Sequence, residues 1–237
     1  MNYILGFVRV HCEVGVSYGG DQNWFRAKDR KKLADYGCGM VSVCDILLHL
    51  AKHRKIVVKE RFGFFHKVLG QTIIEKDDYL EYLYEMSRRF FPIFRLAKGT
   101  WGPVVAFGFN VFARSNGLPY RARWNVKAGN IKEKIAEMIG NDIPVLFAVG
   151  APFPRLWKKD GVTLYVRNEY DKRLHRYGTT GKHYMTITGH FEEDGAEWLR
   201  VSSWGREFFI KWDEYADFVE KTSCPLLSNI LYIYKDC

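Results

Sequence analysis

The chain has 237 residues, 47% of them apolar and 16% aromatic, which is ample for a sizeable core and excludes a disordered chain. Its formal charge of +9 admits an anionic partner. No window is apolar for long enough to cross a bilayer, since the run 103–112 stops short and meets Arg114.

The first ten residues carry neither the basic start nor the small-residue cleavage pattern of a secretory signal, so a soluble, cytoplasmic protein is expected. Cys12, Cys38, Cys44, Cys224 and Cys237 are odd in number and form no CxxC pair. Free thiols in a reducing compartment follow, with Cys12 and Cys44 expected in the core. His11, His49, His53, His66, His175 and His190 lack metal-binding spacing, and no cofactor is expected.

In chain order, a strand is predicted over 3–14, followed by a turn at Gly19-Gly20 and a basic loop. Residues 40–50 are apolar on nearly every face, which predicts a central helix enclosed by protein. Further helices are predicted over 76–90, over 103–115 with a stop at Asn116-Gly117, and over 131–139 ending at Gly140. The region 67–130 carries no motif with readable chemistry.

After Pro144 the texture turns to strands, predicted over 145–149, 162–166, 183–191, 197–203, 207–212 and 229–234, with a short helix over 213–220. Asp194-Gly195 has the chemistry of a tight hairpin turn, which sets the start of the 183 strand beside Ser202 and Ser203. Helices first and an antiparallel sheet afterwards predict an α+β fold. With no repeat or linker, one domain over 1–237 is expected, helix-rich over 1–142 and sheet-rich over 143–237.

Two segments carry chemistry. Tyr36-Gly37-Cys38-Gly39 puts a thiol at the mouth of the buried helix, where orphan amide groups favour a thiolate. His183 opens an alternating strand that runs to Gly189, and the next strand ends in Ser202-Ser203-Trp204-Gly205. A thiol and an imidazole so placed make a nucleophile and a base.

These segments resemble the papain-like cysteine peptidases and are similar to the bacterial peptidases that process double-glycine leaders. The likeness covers the helix and the C-terminal sheet, and implies a central N-terminal helix packed on an antiparallel sheet. It implies Cys38 as nucleophile and His183 as base and acid, with Trp204 shielding the imidazole. Ser202 stands where the family has its orienting Asn or Asp, although a hydroxyl carries no charge and reaches less far. For the side-chain donor to the oxyanion, Gln22 is the first choice and Asn23 the alternative, beside the Cys38 amide.

A cysteine hydrolase acting on a peptide or other amide is therefore expected. Two alternatives stay open: acyl transfer of the transglutaminase-like kind on the same fold, and a catalytically silent protein that binds through its basic surface. The cluster Arg26, Lys28, Arg30, Lys31 and Lys32 is the candidate contact for an anionic partner, or else an ordinary solvated surface. Smaller basic clusters lie at 53–55 and 167–176.

Overall fold

A computed structural model describes residues 2–25, 30–53, 58, 59, 62–93 and 100–236. The predicted first strand divides at Gly6, whose φ of 62° turns the chain. Strand β1 (Asn2–Tyr3) joins the main sheet, whereas β2 (Arg9–Cys12) pairs with β3 (Gly15–Tyr18) in a small second sheet. Cys12 lies in that half-exposed hairpin rather than in the core, while Cys44 is fully buried. The Gln22–Trp24 turn and α1 (Lys31–Tyr36) lead into α2 (Cys38–His53). Gly37 makes that junction possible, because a Cβ there would lie 2.2 Å from the Leu33 carbonyl oxygen.

Helix α2 is buried from Gly39 to Ala51, as its all-round apolar sequence requires. It is followed by α3 (Gly63–Leu69), β4 (Ile74–Glu75), α4 (Lys76–Arg89) and α5 (Gly102–Asn116), and α2 packs against all three of these helices. Gly117 closes α5 in the left-handed conformation. Then come β5 (Tyr120–Trp124), α6 (Ile131–Gly140), β6 (Val145–Val149), β7 (Val162–Arg167) and β8 (Leu174–Thr180). The chain finishes with β9 (His183–Glu193), β10 (Ala196–Ser203), β11 (Arg206–Lys211), α7 (Trp212–Lys221) and β12 (Ile230–Lys235).

The fold is α+β. A nine-stranded antiparallel sheet has the order β5-β12-β6-β9-β10-β11-β7-β8, with β1 beside the far half of β9. Helix α2 lies on its centre, against β9 and β6, so the start of α2 meets the start of the longest strand. Both turns of the β9–β10–β11 meander have two residues at positive φ: Asp194-Gly195, at the end of β9 away from His183, at 52° and 70°, and Trp204-Gly205, beside it, at 48° and 68°. This primed geometry matches the twist of paired strands. Among the described residues, no helix is long and apolar enough to cross a membrane.

The basic loop contributes less free charge than its sequence implies. Arg30 pairs with Glu81 at 2.7 Å and lies 4.3 Å over the Tyr84 ring, leaving Lys31 and Lys32 exposed. Arg26, Lys28, Arg54, Lys55 and Cys237 lie outside the described residues. In the third cluster, Arg167 donates to both carboxylate oxygens of Glu193, at 2.9 and 2.6 Å.

Candidate active site

Cys38 begins α2 with part of its surface accessible, and it lines one cleft together with His183 and Gln22. The cleft encloses about 310 Å³, and Tyr36, Trp101, Ala148, Gly150 and Lys182 are among its lining residues. A separate space of about 10 Å³ shares Cys38, His183, Gln22 and Trp204 with it and is lined also by Asp45 and Ser203, among others. The larger groove of about 710 Å³ along β12 and α6 holds none of these residues.

The environment of the thiol differs from that expected of a helix mouth. Backbone N–H groups of Tyr184, Gly39 and Cys38 itself favour the thiolate, but burial outweighs them and holds the thiol above its usual range. His183 shifts the other way. Its side chain is buried, and desolvation lowers its pKa to about 4. At neutral pH the resting pair is thus thiol and neutral imidazole, each group being too dry to carry charge alone.

Two neighbours fix the imidazole. Trp204 stacks on it at 4.2 Å with planes 9° apart, and Ser203 Oγ lies 2.7 Å from Nε2. To deliver this stack the Trp204 backbone takes a φ of 48°, at a cost of roughly 1 kcal/mol for a residue with a side chain.

Ser202 is not the partner of the histidine. Its hydroxyl donates to the Tyr18 carbonyl at 2.8 Å, and the contact with the ring belongs to Ser203. The cause is a one-residue bulge. Gly189 pairs with Arg200 but Ile187 pairs with Val201, so Thr188 is left without a partner on β10. A regular ladder from the turn would set Ser202 opposite Ile187, on the His183 face. The bulge sets Ser202 opposite Thr186 and brings Ser203 to that face instead. Removal of the contact by Ser203→Ala is expected to lower turnover about tenfold, the worth of one neutral hydrogen bond, in a kcat measurement; Ser202→Ala should leave the pH profile unchanged.

Gln22 is held in the cleft by its side chain, whose Nε2 donates one hydrogen to the Ala34 carbonyl at 2.8 Å. That nitrogen carries a second hydrogen beyond this bond. Asn23, the alternative, is exposed and turned to Asp21, 2.8 Å from its Nδ2. In Gln22→Ala, kcat should fall about 10²–10³-fold with little change in the alkylation rate of Cys38, which separates oxyanion support from a general loss of fold.

Tyr184 and Asp45 also line the small space, and neither has a role on sequence grounds. The Tyr184 N–H faces the Cys38 sulfur, and a Cβ on Gly39 would lie 3.1 Å from the Tyr184 ring, so Gly39 admits this contact. Asp45 is a carboxylate inside an apolar helix, a signal visible in the sequence and open to a chemical reading.

No family model matches the chain, and neither a curated protein nor a solved structure does.

Proposed function

We propose that the protein is a papain-like cysteine hydrolase that cleaves a peptide or other amide through an acyl-enzyme. The observation that carries this reading is the convergence, in one cleft, of the thiol at the start of α2 with an imidazole braced by Ser203 and Trp204. The neutral pair defines the order of events. With Nε2 donating to Ser203, Nδ1 takes the thiol proton as Cys38 Sγ bonds to the carbonyl carbon. The oxyanion is met by Gln22 Nε2–H and the Cys38 amide. Collapse breaks the C–N bond, His183 returns its proton to the leaving amine, and water then hydrolyses the thioester.

A test uses p-nitrophenyl acetate, whose acyl group needs no specificity pocket. Repeated release of nitrophenol with an acetyl group transiently on Cys38 supports hydrolysis. Acetyl transfer to added glycine methyl ester in preference to water supports the acyltransferase reading. A second reading, a silent binding protein, is favoured by one observation: burial keeps the Cys38 thiol protonated. It is the outcome if Cys38 takes up no acetyl group.

A further inference from the structure

Asp45 stands one helical face along from Cys38, with Ser42 between, at the i, i+4, i+7 spacing of residues on one side of a helix. Its side chain is enclosed and meets two donors. Tyr79 Oη of α4 donates to Oδ1 at 2.5 Å, and the Gly20 N–H donates to Oδ2 at 2.9 Å. Gly20 in turn accepts from the Gly205 N–H at 3.0 Å, and the neighbouring Tyr18 N–H donates to the Gly205 carbonyl at 2.8 Å. Gly205 completes the turn that presents Trp204 to His183, and Gln22 follows Gly20 by two residues. The approach is too close for a side chain, since a Cβ on Gly20 would lie 2.0 Å from Tyr79 Oη.

One carboxyl group therefore ties the helix bearing the thiol to the loop bearing the oxyanion donor and to the turn bearing the histidine shield. We propose that Asp45 is the positioning residue of this site, and that its ionisation controls how firmly Gln22 and Trp204 are held against the Cys38–His183 pair. The inference rests on the hydrolase reading of that pair. An ionised carboxylate accepts from both donors, whereas a protonated one keeps the Gly20 bond but turns its own hydrogen to Tyr79 Oη, leaving the tyrosine hydrogen without that acceptor. Tyr79 and Tyr82 of α4 and Cys44 of its own helix are the titratable groups around it, and Cys38, His183 and Ser202 line the same small space. Burial raises the Asp45 pKa to about 7, while the Tyr79 and Gly20 bonds pull it down, so the change of state falls near neutrality.

The test is the iodoacetamide alkylation rate of Cys38 between pH 5 and 9, with Cys12 as internal reference, in wild type, Asp45→Asn and Tyr79→Phe. Wild type should gain enhancement over Cys12 as pH rises through about 7. Asp45→Asn should stay at the low-pH level throughout, about tenfold or more below wild type at pH 8. Tyr79→Phe removes a bond that lowers the Asp45 pKa, and should move the inflection to higher pH. An enhanced Cys38 whose inflection survives Asp45→Asn, or stays in place in Tyr79→Phe, overturns this inference alone. A Cys38 no faster than Cys12 at every pH overturns the hydrolase reading as well. Tyr79→Phe keeps the carboxylate and carries the test if Asp45→Asn does not fold.

Discussion

Cys38→Ala is expected to abolish acetyl-enzyme formation and to cut amide or ester turnover by about 10⁴-fold or more, as removal of a nucleophile does. The substitution takes a partly accessible sulfur from the first turn of α2, which stays anchored by the burial of Gly39 to Ala51. Thermal stability should therefore change little, while turnover collapses to what the cleft and the oxyanion donors achieve on their own. Nitrophenol release by the variant at the wild-type rate would place the chemistry elsewhere. Cys44 is no substitute nucleophile, because it is fully buried and its thiol is pushed well above its ordinary value by desolvation.

His183→Gln is expected to reduce turnover by roughly 10²–10⁴-fold, the range for loss of a positioned base. Its pH behaviour is the sharper signature. The folded-state pKa of His183 is depressed to about 4 by burial, against an ordinary value of 6.5. The imidazole stays neutral, and so able to take a proton, down to about pH 4. Loss of the base itself should therefore fall near pH 4 rather than 6.5, below the separate step that Asp45 sets near 7. Stability follows the same group. Above pH 6.5 both folded and unfolded states hold a neutral ring, and the contribution is complete; as pH falls towards 4 only the unfolded state gains the proton. Wild type should lose on the order of 3 kcal/mol relative to His183→Gln across that window. Asp45 works in the opposite sense, since its raised folded-state pKa adds stability that is present below pH 3.8 and lost as pH rises through about 7. Each variant must therefore be compared with wild type at the same pH. Parallel stability curves for His183→Gln and wild type would contradict the buried neutral imidazole.

Much of this fold was legible because its central pieces are strongly patterned. A helix apolar on every face has to be enclosed, and residues 40–50 sit within α2. The Asp194-Gly195 turn pins β9 to β10, and Asn116-Gly117 marks the end of α5. Edge strands were not legible: β8 is exposed over most of its length and shows no apolar face, and β5 carries Arg121 and Arg123 between its apolar positions. Short β1 and β2 read as one strand because the break at Gly6 is a matter of backbone angle rather than side-chain pattern.

The site divides in the same manner. Cys38, His183 and Gln22 were singled out from residue type, local setting and the family likeness, and all three line one cleft. The hydroxyl on His183 was not. Whether Ser202 or Ser203 faces the ring depends on a single unpaired residue at Thr188, and a one-residue shift exchanges the faces of a strand. The charge state of the pair was also hidden, because amide groups at a helix start speak for a thiolate, whereas the tertiary burial that outweighs them has no local signature.

The most direct measurement is the iodoacetamide alkylation of the folded wild-type chain at pH 8, read by peptide mass mapping at Cys12, Cys38 and Cys224. These are the partly exposed thiols among the described residues. Although burial holds its thiol protonated at rest, a base that takes the proton as the new S–C bond forms predicts that Cys38 is modified first, and that His183→Gln brings its rate down to that of the other two. Equal labelling of all three in wild type, or a Cys38 rate indifferent to His183→Gln, would contradict a working thiol–imidazole pair.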